Sequence, residues 1–193
     1  MNFIEESNAL LDTSANNAYP AEWRNYIRAR EEIYSRLLPD YLKPNMRSEA
    51  MWVIRSQCGS GEEVGVHVVP GDICWMDFGQ TFLNEMGYQH FGLVLSIWNR
   101  KALVIPLTSN AAAYEKAGNG SLLWNHLFRI GMPEGLNRPS TLFLNDIRFI
   151  NTARILYVRA HIDPDSELFH AIQTRLIGFL TSGSPVKYDT MQG

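Results

Sequence analysis

The residues with most chemical reach in this chain gather in one polar connection, Gly79 to Phe91, set between apolar runs. It carries Glu85, Gln89 and His90. A histidine changes charge near neutral pH and can serve as acid or base, and a carboxylate beside it can act as its partner or as a complementary base. Past the next turn, an apolar run ends at Thr108-Ser109-Asn110, which brings two hydroxyl donors. The other histidines offer less: His67 stands between valines, His126 follows Trp124-Asn125, His161 precedes a helical pattern and His170 falls within one. Cys58 and Cys74 lack CxxC or Cys/His spacing and read as two unpaired thiols of a reducing compartment, with no structural zinc. Walker, Rossmann and zinc motifs are missing too, so the expected cofactor and metal content is none. What remains is acid–base chemistry carried by side chains.

Three apolar runs must position those residues. Ile73 to Phe78 start from a Gly-Asp corner after Pro70, Gly92 to Trp98 form a second run, and Ala102 to Leu107 a third. Each reads as a strand. The turn Asn99-Arg100-Lys101 makes the last two an antiparallel hairpin. A polar loop mounted on a hydrophobic sheet is a common place for a site.

Taken in order, GDICWMDF, the loop Glu85, GLVLS and VIPLTSN resemble the MazF/PemK (Kid) toxins. That family's pattern is G-D-hydrophobic-W-V-D-F, a loop Glu, R-P-x-hydrophobic-V-L-S, then V-P-hydrophobic-T-[ST]. Leu144-Asn145-Asp146-Ile147-Arg148 and Arg154 continue the likeness, which spans roughly residues 70 to 181. It implies a mainly β fold with helices (α+β), a small SH3-like or CcdB-like β-barrel with a C-terminal helix. It also implies a homodimer, a cognate antitoxin, and metal-independent cleavage of single-stranded RNA. On the residues matched, Glu85 takes the family's Glu position and Thr108 its Thr position. The family's Arg-Pro is here His90-Phe91, at the same spacing from the Glu. The expected roles are His90 as general acid or base, Glu85 as its partner and Thr108 as a donor to the scissile phosphate. Gln89 and Ser109 would assist in binding, and Arg148 and Arg154 would hold flanking phosphates. The lost arginine also leaves open a catalytically inactive barrel that serves as a protein-binding or regulatory module.

The first third of the chain lies outside the resemblance. After a weakly patterned start and the break NNAYP, with Pro20 suited to a first helical turn, Trp23, Tyr26, Ile27, Ile33, Tyr34, Leu37 and Leu38 fall at helical spacing. This predicts a helix over about 21–38, stopped by Pro39 and Pro44, a second over about 48–55, and a partly extended lead-in over 62–69. Downstream, 111–120 reads as a loop or short helix, and 122–130, 140–144 and 154–159 as strands. A C-terminal helix starts with Asp163 as cap and Pro164 in its first turn, and stops at Gly183 and Pro185. The organisation expected is a helical arm over 1–68, the barrel with its C-terminal helix over 69–182, and a tail over 183–193.

A hydrophobic content of 46% is ample for a core, and no run is long enough for a membrane span. Acidic residues stand where a signal peptide carries basic ones, so the expectation is a cytoplasmic protein. The net charge of −3 is uneven: residues 1–70 hold seven Lys/Arg against ten Asp/Glu, and 71–193 hold ten of each. Within 86–159, eight basic residues face three acidic ones, a local excess suited to a phosphate-bearing partner.

Overall fold

The computed structural model describes residues 21–182. The weakly patterned start, the break ending at Pro20 and the tail from Gly183 lie outside the described residues. The chain divides into two compact units between Met46 and Arg47. The first holds α1 (Ala21–Arg36) and the opening turns of α2 (Pro39–Arg55). α1 ends at Arg36, ahead of Pro39 as expected, but the stretch beyond is helical too: Pro39 begins α2 and Pro44 lies inside it. Proline suits the first helical position, where its missing N–H has no intrahelical partner anyway. Leu38 O, just ahead, accepts from Tyr41 N and Leu42 N and so starts the helix. Among the described residues, no helix is long and apolar enough to cross a membrane.

The second unit is built on one seven-stranded sheet of antiparallel pairs. Its strands are β1 (Asp72–Asp77), β2 (Gln89–Trp98), β3 (Lys101–Thr108), β4 (Leu127–Gly131), β5 (Ser140–Phe143), β6 (Arg148–Asn151) and β7 (Ile155–His161). The order is β4-β5-β3-β2-β1-β7. One edge of β3 pairs with β2. Its other edge is shared, β6 taking the start (Lys101↔Asn151 to Val104↔Arg148) and β5 the end (Leu107↔Leu142, Thr108↔Thr141). A short 3-10 turn, Thr152–Arg154, carries β6 into β7, which returns to pair with β1. β1, β2, β3, β6 and β7 thereby form a small barrel, closed between β6 and β7 by the covalent chain.

β2 and β3 are continuously apolar in their middles, 92–95 and 104–107, because both faces are buried there. Leu93, Leu95, Ile105 and Leu107 pack with Ile73, Leu142 and the helix residues Phe169, Ile172 and Leu176. Val94, Ala102 and Val104 pack with Cys74, Met76, Phe78, Ile150 and Ile155 inside the barrel. Each such side chain contributes about 1.5–3 kcal/mol by leaving water. Gly92 makes the interior close: a Cβ there would stand 2.9 Å from Met76 Sδ.

Local capping explains two departures from the expected elements. The C-terminal helix, α4 (Glu167–Thr181), is capped by Ser166, whose side chain accepts from Phe169 N; Asp163 instead closes the turn before it by accepting from Asp165 N. The strand expected over 122–130 is a 3-10 turn at Leu122–Trp124, capped by Ser121, followed by the shorter β4. α3 (Ala111–Ala117), capped by Asn110, is the short helix allowed for after β3. In the lead-in, Glu62–Val64 form a 3-10 turn. Val66 and Val68 then point into the barrel core with His67 and Val69 exposed, a strand-like alternation outside the sheet. Both cysteines are free, and burial pushes the Cys74 thiol up to about 12, with Asp72 adding to the shift.

Candidate active site

The polar connection between β1 and β2 is a loop with a tied neck. Phe78 N donates to Tyr88 O at 2.7 Å, and Tyr88 N to Gly79 O at 2.8 Å. Beyond the neck, Phe82 and Glu85 close a turn: Glu85 N donates to Phe82 O, and Phe82 N to Glu85 Oε2 at 3.2 Å. Asn84, inside that turn, takes a positive φ of 69°, which asparagine tolerates better than most residues. Gly87 returns the chain beneath Thr81 so tightly that a Cβ would lie 2.3 Å from Thr81 Oγ1. Two arginines hold the loop and its foot, one from β6 and one from the 3-10 turn before β7. Arg148 donates to Met86 O at 3.0 Å, sits over the Phe78 ring and pairs with Asp146 at 3.5 Å. Arg154 donates to Asp77 O at 3.3 Å.

The loop lands on β2 at Gln89 and His90, whose Cα partners on β1 are Asp77 and Met76. On the other side of β2, Phe91 pairs with Leu107. One more step of that register sets Thr108 across from His90, and Thr108 in turn pairs with Thr141 of β5. His90, Thr108 and Thr141 therefore run side by side across three strands at one end of the sheet. Neighbouring strands lie about 4.8 Å apart, so His90 and Thr141 flank Thr108 at about 10 Å from each other.

This row is chemically unsettled. In the barrel unit, among the described residues, the buried side-chain polar atoms with no hydrogen-bond partner are His90 Nδ1 and Thr141 Oγ1. Such a group forfeits about 1–3 kcal/mol unless a water, an ion or a ligand meets it. Burial holds the His90 imidazole below its ordinary value, an effect the Gly87 backbone partly opposes. The neutral ring is thus its resting form at pH 7, which suits a base. Trp75 lies roughly parallel to it with ring centroids 6.4 Å apart. Thr108 Oγ1 accepts from Asn110 N at 3.2 Å, which leaves its hydroxyl proton to donate elsewhere.

The candidates therefore fall into two groups. His90, Gln89 and Thr108 come together at the sheet end, and Ser109 follows as an exposed residue. Glu85 stands exposed on the loop with its carboxylate on Phe82 N, and among the described residues no hydrogen bond or ion pair joins it to His90. Arg148 and Arg154 hold the loop's backbone. Thr141 was missed because its significance lies in the β3–β5 register, which no motif in the sequence marks. His126, beside Trp124 at 6.1 Å, is also lowered by burial, with Asp146 opposing; Lys116 covers that Trp124 ring at 4.4 Å.

No family model and no curated protein matches the chain. Among solved structures, it is similar to a MazF (Form-I) structure from Deinococcus radiodurans, at 19% identity and a TM-score of 0.43, over 58% of this chain and 96% of that one. It is also similar to two MazE-MazF structures from the same organism. Form-II aligns at 20% identity and a TM-score of 0.40, over 61% and 97% of the two chains. Form-III aligns at 18% identity and a TM-score of 0.40, over 58% and 95%.

Proposed function

We propose that this chain is a toxin-like endoribonuclease that cuts single-stranded RNA without a metal. The observation that carries the reading is the row of unsatisfied polar atoms: the buried Nδ1 of a half-buried, neutral imidazole and a buried hydroxyl on either side of a threonine with a donor to spare. The motifs shared with MazF/PemK toxins, Glu85 and Thr108 in order among them, point the same way.

RNA carries its own nucleophile. The 2′-hydroxyl attacks the adjacent phosphorus and its proton passes to the neutral His90 ring. The 2′-O–P bond forms, the P–O5′ bond breaks, and the 5′ oxygen leaves with a proton from solvent. The products are a 2′,3′-cyclic phosphate and a free 5′-hydroxyl. Thr108 donates to the phosphoryl oxygens as charge builds, the service that commonly contributes most to such a reaction. Glu85 partners the imidazole, exchanging the Phe82 N–H for the ring. Gln89 and Ser109 contact the RNA beside the cut, and the outward N–H groups of Arg148 and Arg154 meet flanking phosphates. The basic excess over 86–159 draws the strand in. The working protein is a cytoplasmic homodimer restrained by an antitoxin, with the barrel over 69–182 as its catalytic part and 1–68 as an added arm.

The test is a long single-stranded RNA incubated with purified protein in EDTA, with cut ends mapped. Discrete cuts bearing cyclic phosphate, absent in His90→Ala and Thr108→Ala, are expected. Intact RNA at high protein concentration would overturn the reading. It would also favour the inactive-barrel alternative, which has one observation of its own: Phe82 and Leu83 at the loop tip are 82% and 93% exposed, an apolar presentation suited to a protein partner.

A further inference from the structure

The corner from which the Glu85 loop departs is fastened by a residue of the N-terminal third. Asp77, buried at the end of β1, accepts at Oδ1 from two donors: Gly79 N at 2.8 Å and Ser48 Oγ at 2.8 Å. Ser48 is 3% exposed and lies on the part of α2 that belongs to the barrel unit. Ser48, Met51 and Arg55 recur at helical spacing and form the less exposed side of that segment, while Trp52, Val53 and Ile54 are turned to solvent. At the far end of the same face, Arg55 Nη1 donates to the carbonyls of Ala153 and Ile155 at 3.1 and 2.9 Å. Between those two residues is Arg154, which holds Asp77 O. The helix is thus tied twice to the junction of β1 and β7.

Gly79 sits at a φ of 87°, so the chain reverses there by a conformation that something must hold. Its amide is held by Asp77, and Asp77 is oriented by Ser48. We propose that Ser48 is a positioning residue for the site: through Asp77 it fixes the Gly79 corner and so the placement of the loop that carries Glu85 and leads into His90. Of the arm over 1–68, the stretch of α2 from Ser48 to Arg55 then supports the catalytic framework. Without the hydroxyl, Asp77 Oδ1 loses a buried donor and turns toward water, and Gly79 N loses its partner with it.

The kinetic half of this inference rests on the cleavage reading; the positional half does not. The full chain is compared as wild type, Ser48→Ala and Ser48→Thr, by amide hydrogen exchange and by RNA cleavage. In Ser48→Ala, exchange at Gly79 and across 79–88 is expected to quicken about tenfold or more, with β2 and β3 unchanged, as for loss of a hydrogen bond to a carboxylate. kcat falls by a comparable factor with little change in KM, and Ser48→Thr restores both. Ser48→Cys keeps the volume with a weaker donor and falls between the two, which also carries the test if Ser48→Ala fails to fold. Unchanged loop exchange would overturn the proposal. So would faster exchange spread over the whole barrel, or a loosened loop with kcat intact. If wild type leaves RNA whole, the cleavage reading fails by itself, and loop exchange still decides whether Ser48 sets the corner.

Discussion

The two connections that leave β2 are opposites. The one to β3 is a two-residue turn in which Asn99 and Arg100 take φ of 46° and 64°, and the Trp98↔Lys101 pair closes it. Its shape follows from local backbone geometry, matched to strand twist. The connection to β1 spans 78–88 and takes its shape from distant groups: Arg148 on Met86 O, Arg154 on Asp77 O, and Ser48 on the Asp77 side chain. The short turn takes its conformation from its own residues, and the rest of the fold meets it at the Arg100 carbonyl, which accepts from Thr152 N and Thr152 Oγ1. The long loop needs most of the fold, and the proposed chemistry sits where the fold does the holding.

The comparison breaks first at the foot of the long loop. His90→Ala or Thr108→Ala is expected to lower cleavage by about 10²–10⁴, the range for losing a positioned acid–base or donor group. Asn99→Ala, at the other end of β2, is expected to leave cleavage unchanged. Equal losses at the two ends, measured as initial rates on one RNA, would erase the distinction.

The pH profile sharpens the same contrast. His90 is held below its ordinary 6.5, so the rate should decline as pH falls below that value, tracking protonation of the base. Stability moves the same way. Because the fold favours the neutral ring, its contribution is full above 6.5 and is lost as pH falls toward the lowered value. His126, also lowered by burial, adds in the same window. Melting temperatures from pH 7.5 to 5 should drop less in His90→Gln than in wild type; identical curves would show that His90 is not the group responsible.

A smaller effect comes from the loop's packing. Gly87→Ala places a Cβ 2.3 Å from Thr81 Oγ1 and is expected to destabilise by about 1–3 kcal/mol in denaturant titration. Thr81→Ala in the same chain should recover part of that, since the two sites share one contact. The smallest effect lies in the short turn. Arg100→Gly relieves a left-handed residue, worth about 1–2 kcal/mol, against about 0.5–1 kcal/mol of added unfolded freedom, so a small net stabilisation is expected in denaturant titration.

Where the elements are apolar and local, the sequence was legible. β1, β2 and β3 lie within a few residues of the runs that predict them, and the hairpin falls where Asn99-Arg100-Lys101 places it. The apolar spacing of Leu168, Phe169, Ile172, Leu176, Phe179 and Leu180 foretells α4, and all but the exposed Leu180 pack on the core. Legibility fails where side-chain hydrogen bonds compete with pattern, as at Ser121 and Ser166, or where proline is compatible with a helix's start, as at Pro39.

By itself, then, the sequence determined which segments are strands and which polar residues stand nearest one another along the chain: Glu85, Gln89 and His90 on one connection, and Thr108 at a strand end. Burial periodicity and turn chemistry act over a few residues, so they are written locally. Only the tertiary structure decided that Thr141 stands beside Thr108, since register sets cross-strand neighbours. It alone decided that His90 rests neutral, since desolvation comes from every element packed around the ring. And it alone joined Ser48 to Asp77, 29 residues away, because a buried oxygen takes its donor from whichever part of the fold can reach it.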